Sequence, residues 1–249
     1  MKTMFNGNAL LRHAAVVLAL AGFCALGVRA SAQGAVTINP DAVGAPASPS
    51  AAWQSGKPVV APHAMVVSAQ HLATQVGVGI LKQGGNAVDA AVAVAYALAV
   101  VHPCCGNIGG GGFMTIHLNG GKNLFLNFRE KAPLRATPTM FLDSHGNVVK
   151  GRSVDTYLGV GVPGTVMGLD TALKTYGTMT RKQVMAPAIA LADRGYVLEP
   201  GDVAILDAHA RNFAQNPNVA SIFLNHGKPY VAGQRLVQKQ LAHTLELIA

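Results

Sequence analysis

Apolar side chains recur with the period of a helix near the start of the globular region. In the stretch from His71 to Gln83, the apolar residues at helical spacing are Leu72, Val76, Ile80 and Leu81. Gly84-Gly85 follows, which is typical of a helix C-terminus. This pattern predicts a helix that ends at the glycine pair.

A second helix is predicted from Ala87 to Val101. Asn86 is a suitable N-cap, and Asp89 lies in the first turn, where the helix dipole favours an acid. Pro103 ends the helix. Its sequence is apolar nearly all round, so we expect it to be buried on every face.

Alternation of apolar and polar residues then predicts a β-hairpin. The strands are Phe113 to Leu118 and Leu124 to Phe128, joined by the turn Asn119-Gly120-Gly121. A further turn is predicted at Asp143 to Asn147.

The remaining chain predicts mostly helices. Pro163 is expected at the first position of a helix that runs to Tyr176. Thr180 caps a helical stretch that Pro187 interrupts. The other predicted segments are a helix over 201–212, loops with short extended pieces over 213–235, and a last helix from Val237 onward. Helices around one hairpin give an α+β class with an antiparallel sheet.

The first 62 residues have a different composition from the rest. Residues 1–32 combine Lys2 and Arg12, an apolar run from Ala14 to Gly27 and the small residues Ala30-Ser31-Ala32. This three-part pattern predicts a secretory signal peptide cleaved after Ala32, so the mature chain is expected to be periplasmic or secreted, with no membrane attachment. Residues 33–62 are rich in Ala, Pro, Ser and Gly and are predicted to be a flexible lead-in to a globular region over 63–249.

Charge excludes several classes of protein. Only 12% of the 249 residues are charged, against about 25% in an ordinary soluble domain, which argues against a coiled coil or a disordered acidic tail. The net charge is +8, and it falls to +5 without the signal peptide. Because the remaining Lys and Arg residues are scattered, nucleic-acid binding is not expected.

Two of the three cysteines, Cys104 and Cys105, are neighbours in the globular region. Adjacent cysteines can form a disulfide only through a strained ring, so a structural disulfide is not expected. We predict small buried thiols beside a tight turn. With no second cysteine pair and no histidine at metal-ligand spacing, no zinc site is expected.

Four consecutive glycines, Gly109 to Gly112, do not form a phosphate-binding loop. The dinucleotide fingerprint fails on the spacing of its glycines, and here the helix precedes the strand. A P-loop is excluded because no Lys-Ser or Lys-Thr pair directly follows the glycines. Glycines allow close backbone packing or expose N–H groups to a ligand. Composition therefore leaves open a loop beside an active site and a tight helix-to-strand crossing.

Arg129, just after the second predicted strand, is the candidate binding residue. Its guanidinium can offer two parallel hydrogen bonds to a carboxylate. The alternative is a salt bridge with Glu130 or with a distant acid such as Asp89. Residue patterns show no complete catalytic set, since neither His-Glu-x-x-His nor Gly-x-Ser-x-Gly occurs.

Several motifs occur together in a characteristic order. They are His63-Ala-Met-Val-Val-Ser-Ala, Leu81-Lys-Gln-Gly-Gly-Asn-Ala-Val-Asp-Ala-Ala91, His102-Pro, Gly106-Asn-Ile-Gly-Gly-Gly-Gly-Phe-Met114, Phe128-Arg-Glu130, Gly161-Val-Pro-Gly-Thr165, Tyr176-Gly-Thr178, Pro187-Ala188 and Ala192-Asp-Arg-Gly195. Over residues 63–249 the chain resembles the N-terminal part of the large subunit of the γ-glutamyltranspeptidases, or glutathione hydrolases.

The resemblance implies part of the four-layer αββα sandwich of N-terminal nucleophile hydrolases, incomplete in this chain. In the family a precursor cleaves itself, and the N-terminal threonine of the small subunit attacks the γ-amide of glutathione. Water or an acceptor amino acid or dipeptide then takes the γ-glutamyl group, with no metal or organic cofactor.

Arg129 matches the arginine that binds the glutamyl α-carboxylate in this family. The resemblance also implies that the glycine run is structural and close to the subunit contact, and that the nucleophile lies on the remainder of the precursor. The chain alone is therefore expected to be inactive. Two alternatives are a β-lactam side-chain acylase of the same superfamily and a secreted, non-catalytic glutamate- or glutathione-binding fragment.

Overall fold

The computed structural model describes residues 59–249, and the predicted signal peptide lies outside them. The helices are α1 (His71–Lys82), α2 (Ala87–Val101), α3 (Thr165–Tyr176), α4 (Arg181–Arg194), α5 (Pro200–Asp207), α6 (Ala210–Ala214), α7 (Pro217–Phe223) and α8 (Lys239–Ile248). The strands are β1 (Phe113–His117), β2 (Asn123–Asn127), β3 (Tyr196–Val197) and β4 (Arg235–Leu236). Both sheets are antiparallel pairs, β1–β2 and β3–β4, which confirms the predicted α+β class. Within the described range, no helix has the length and apolarity to cross a membrane.

The helices α1 and α2 pack against each other, and their caps explain where each begins. The Gln70 side chain accepts a hydrogen bond from the Leu72 N–H at 2.6 Å and so caps α1. The Asn86 side chain accepts from the N–H groups of Val88 and Asp89 at 2.8 and 3.0 Å, while Asp89 accepts from the Asn86 N–H at 2.8 Å. This reciprocal capping box starts α2 at the predicted residue.

The helix α2 lies at the centre of the core, against α1, α3 and α4, and α4 packs in turn on α8. Its buried side chains include Val92, Tyr96 and Val100. The prediction that every face is buried is wrong, because Ala91 is exposed and a neighbouring strip is only half-buried. Within residues 59–249, this strip forms one wall of a shallow groove. The segment 64–67 also lines the groove.

The predicted hairpin is confirmed. Phe113 pairs with Asn127 and His117 with Asn123, and the turn places Gly120 and Gly121 at φ values of 114° and 87°, where glycine is favoured. One face of the hairpin buries Ile116. The other carries two exposed phenylalanines, Phe113 and Phe125, whose stacked rings lie 5.6 Å apart.

The predictions for two prolines are wrong, one in its position relative to a helix and one in its effect on a helix. Pro163 precedes the N-cap of α3, Gly164, so it is not the first helical residue. Pro187 lies inside α4 and does not interrupt it. The helix continues because Pro187 and neighbours such as Met185, Ala188 and Leu191 are buried, and this packing outweighs the roughly 3 kcal/mol cost of an interior proline.

The C-terminal third is also more helical than its pattern suggests. The predicted helix over 201–212 is two helices, α5 and α6, with a break at Ala208 and His209. The predicted loop region contains α7, which Pro217 begins. The last helix begins at Lys239, two residues later than predicted.

Asp89 joins α2 to the loop before α4. Its carboxylate is fully buried and accepts hydrogen bonds from the Thr178 N–H at 2.9 Å, the Thr178 hydroxyl at 2.7 Å and the Met179 N–H at 3.1 Å. Burial alone raises the pKa of Asp89, but these hydrogen bonds, with that from Asn86, outweigh burial and lower the pKa below its ordinary value. Asp89 is therefore a charged structural anchor.

Replacing Asp89 with asparagine is expected to lower the free energy of unfolding at neutral pH by about 2–4 kcal/mol, as measured by urea denaturation. The new amide group would place a donor opposite the donors of Thr178 and Asn86. Because the folded pKa is lowered, this stabilisation is present above the unfolded pKa of about 3.9 and is lost as pH falls through the folded pKa. The difference between the parent chain and the variant should therefore shrink in strong acid. The exposed control Asp207→Asn should change stability by less than about 0.5 kcal/mol, and a pH-independent difference for Asp89→Asn would contradict the assignment.

Candidate substrate-binding site

Arg129 lies immediately after β2, between two pairs of backbone hydrogen bonds. On one side, Phe128 and Gly112 exchange hydrogen bonds at 3.0 and 3.3 Å. On the other, Lys131 and Val162 exchange hydrogen bonds at 3.1 and 2.8 Å. The Asn127 side chain also accepts from the Arg129 N–H at 3.1 Å. The backbone that carries Arg129 is thus held on both sides.

The glycine run passes directly behind this backbone. A Cβ atom on Gly111 would lie 2.5 Å from the Phe128 carbonyl oxygen, 2.7 Å from the Glu130 nitrogen and 2.8 Å from the Arg129 Cα. Real Cβ atoms do not approach backbone so closely, so only glycine permits this crossing. Composition leaves open a loop beside an active site and a tight helix-to-strand crossing. Both descriptions apply, because the glycine run crosses the backbone closely and also lies against the candidate site.

The same run also fixes the start of α3. The Gly110 carbonyl accepts hydrogen bonds from the N–H groups of Gly164 and Thr165 at 2.7 and 3.0 Å. These N–H groups belong to the N-cap and the first residue of α3, where no intrahelical acceptor exists. The helix α3 is thereby tied to the loop that supports Arg129.

The Arg129 side chain contacts Glu130 and Phe113. Its Nε lies 2.9 Å from the Glu130 Oε2, and its Cζ lies 5.7 Å from the centre of the Phe113 ring. The side chain is 62% exposed and that of Glu130 36% exposed, so the ion pair is a surface one. Of the two acids considered as partners of Arg129, the structure shows an ion pair with Glu130. The Asp89 carboxylate is buried and accepts hydrogen bonds from Thr178 and Met179 instead.

This arrangement suits the binding of a small carboxylate. The closest contact between the two charged groups joins the Arg129 Nε and the Glu130 Oε2, and most of the Arg129 side chain remains exposed. The ring of Phe113 supports the guanidinium through a cation–π contact, which restricts its orientation. An incoming carboxylate can therefore approach the Nη side and accept two parallel hydrogen bonds.

The prediction that the two cysteine thiols are buried is wrong. Both Cys104 and Cys105 are exposed free thiols, because the turn that carries them lies on the surface. A histidine also lies within reach, since the Nε2 of His102 is 3.4 Å from the Cys104 Sγ. The sequence signal for this cluster was the spacing His-x-Cys-Cys, which resembles no common zinc motif.

Cys104 is not suited to act as a nucleophile. Loss of water around its sulfur, followed by its hydrogen bond with Cys105, raises the pKa of Cys104 to about 11. A thiol with that pKa is protonated at neutral pH, and the thiolate is the reactive form.

Comparison with solved structures defines the class of fold. The structure superposes on Helicobacter pylori gamma-glutamyltranspeptidase with a TM-score of 0.75 and 47% sequence identity, over 77% of this chain and 55% of that chain. The neighbouring structures are N-terminal nucleophile hydrolases, so the predicted fold, part of their αββα sandwich, is confirmed.

Sequence comparison places the chain within that class. The gamma-glutamyltranspeptidase family model matches residues 73–249, and the chain belongs to this family. The glutathione hydrolase proenzyme of Pseudomonas sp. (strain A14) is 59% identical over 196 residues, which are 78% of this chain and 34% of that protein. The Acylase ACY 1 proenzyme of Pseudomonas sp. (strain SE83) is 38% identical over 199 residues, 78% of this chain and 36% of that protein. The chain spans about a third of the length of the curated relatives it matches.

Proposed function

We propose that this chain forms the glutamyl-binding part of a γ-glutamyltransferase and glutathione hydrolase. Because it spans about a third of its curated relatives, the activity proposed is that of the longer protein. The observation that carries the proposal is the presentation of Arg129. Its backbone is held between two hydrogen-bonded pairs, while its guanidinium remains accessible on the Phe113 ring.

The proposed ligand of Arg129 is the α-carboxylate of the γ-glutamyl group. A carboxylate bound by the guanidinium fork gains charge-assisted hydrogen bonds, which are roughly twice as strong as neutral ones. The existing ion pair with Glu130 is no obstacle, because exposed ion pairs contribute only about 0–1 kcal/mol. Substrate can therefore share or replace Glu130 at little cost.

Arg129 is proposed to position the substrate for chemistry on another segment. In the mechanism that the resemblance implies, a threonine hydroxyl attacks the γ-carbonyl carbon and the C–N bond breaks. The proton moves to the departing amine, and a γ-glutamyl ester remains. Water or the amine of an acceptor amino acid or dipeptide then attacks that ester and restores the hydroxyl. Fixing the α-carboxylate at one end holds the γ-carbonyl in place at the other.

The acylase alternative is favoured by the similarity to Acylase ACY 1. A glutaryl group has the same chain length and terminal carboxylate as a γ-glutamyl group and lacks only the α-amino group. Arg129 can bind both, so this residue does not distinguish the two functions.

We expect the longer protein to prefer a γ-glutamyl anilide over the matched glutaryl anilide by at least about 100-fold in kcat/KM. The reason is that a site built to bind the ammonium group leaves buried polar atoms unpaired when that group is missing. Release of the aniline from both substrates, measured at one enzyme concentration, provides the comparison. A preference for the glutaryl compound would establish the acylase instead.

We further propose that the protein works in the periplasm or outside the cell. The three-part signal pattern over residues 1–32 supports this location.

A further inference from the structure

The turn after α2 brings three metal-binding side chains together at the surface. The Cys104 Sγ lies 3.4 Å from the His102 Nε2 and 2.6 Å from the Cys105 Sγ. All three ligand atoms lie within 4.8 Å of one another, and residues 59–249 contain no other such group of three His, Cys, Asp or Glu side chains.

The backbone of this turn is fixed on the end of α2. The His102 N–H donates to the Leu98 carbonyl at 3.0 Å, and the His102 carbonyl accepts from the N–H groups of Cys105 and Gly106 at 3.1 and 2.9 Å. A Cβ atom on Gly106 would overlap the Leu98 carbonyl and come within 2.7 Å of the Ala99 nitrogen. Glycine at 106 therefore lets the turn lie directly on the helix. The backbone positions of His102, Cys104 and Cys105 are fixed as a result.

We propose that His102, Cys104 and Cys105 bind one thiophilic d10 cation, either Zn²⁺ or Cu⁺. The two thiols release their protons and bind as thiolates, and His102 binds through Nε2. Sulfur and imidazole ligands select these ions over Mg²⁺ and Ca²⁺, which require oxygen ligands. The proposal does not depend on the proposed function, because it rests on these three side chains alone.

The side chains need only a small adjustment to accept the ion. Zinc–sulfur bonds are about 2.3 Å long, so two thiolates on a tetrahedral zinc lie roughly 3.7 Å apart. The Sγ atoms must therefore separate by about 1 Å, which rotation of two exposed side chains allows. Two thiolates and one imidazole leave a fourth zinc position that faces solvent and takes water, whereas Cu⁺ is satisfied by three ligands.

Cobalt and zinc titrations of the reduced, metal-free chain test the proposal. A Cys24→Ser background removes the remaining thiol. Addition of Co²⁺ is expected to produce thiolate-to-cobalt charge-transfer absorption that saturates at one equivalent, and Zn²⁺ should abolish it. Cys104→Ser, Cys105→Ser and His102→Gln should each weaken zinc binding by more than the 10–100-fold typical of losing an outer-shell partner. The exposed control His145→Gln should bind like the parent.

Competition with a Cu⁺-specific chelator and with a zinc chelator then shows which of the two ions binds more tightly. Circular dichroism establishes that each variant is folded. The proposal is overturned if the folded, reduced chain shows no charge-transfer band with Co²⁺ and takes no Cu⁺ from the chelator. It is equally overturned if the three ligand variants bind the preferred ion as tightly as the parent. It is also overturned if mass spectrometry shows that Cys104 and Cys105 close into a disulfide under reducing conditions, since neither thiolate then remains to bind metal.

Discussion

Replacing Arg129 with alanine is expected to lower kcat/KM for glutathione by about 100- to 1000-fold in the longer protein. This corresponds to losing a charge-assisted, two-point carboxylate contact, at about 1.4 kcal/mol for each factor of ten. Most of the change should appear in KM, because the carboxylate is bound in both the ground state and the transition state. Arg129→Lys should recover only part of the loss, since an ammonium group lacks the planar fork.

A substrate analogue separates binding from a general structural effect. In the analogue the glutamyl residue is replaced by 4-aminobutanoyl, which removes the α-carboxylate and keeps the γ-amide. The parent protein should strongly prefer glutathione over this analogue, and Arg129→Ala should lose that preference. Arg211→Ala, which removes an exposed arginine on α6, is the matched control and should behave like the parent. If Arg129→Ala kept the full preference for the carboxylate, the assignment of Arg129 would be wrong.

Gly111→Ala is expected to damage both stability and activity, because the new methyl group meets backbone and not a flexible side chain. The Phe128 carbonyl oxygen and the Arg129 Cα lie 2.5 and 2.8 Å from the position of the added atom. Relieving this overlap must move the segment that carries Arg129. We expect a loss of about 1–3 kcal/mol in the free energy of unfolding. We also expect a decrease of up to about 100-fold in kcat/KM, since a displacement of 1 Å can have that effect.

Gly109→Ala is a control from the same glycine run. A Cβ atom at Gly109 would meet nothing within 4 Å, and its φ lies outside the left-handed region. This variant should keep the stability and kcat/KM of the parent. Equal effects at the two positions would show that the run acts through general flexibility and not through the close crossing at Gly111.

Local patterns predict α1, α2 and the β1–β2 hairpin to within one residue at each end. Their determinants lie within a few residues of each element: the Asn86 cap, the apolar period of α1 and the glycines of the hairpin turn. The prediction fails where distant residues decide. Pro187 stays helical because the core packs around it. The first N–H groups of α3 donate hydrogen bonds to the Gly110 carbonyl, which lies more than fifty positions earlier in the chain.

The candidate site divides in the same way. The order of motifs is enough to indicate the family and to single out Arg129, because those residues can be read along the chain. Local sequence cannot indicate that Gly111 presses on the Arg129 backbone, that Asp89 is satisfied by Thr178 and Met179, or which carboxylate pairs with the guanidinium. These facts arise only when segments far apart in the chain come within a few ångströms. At that range steric overlap and hydrogen-bond geometry determine what each residue does.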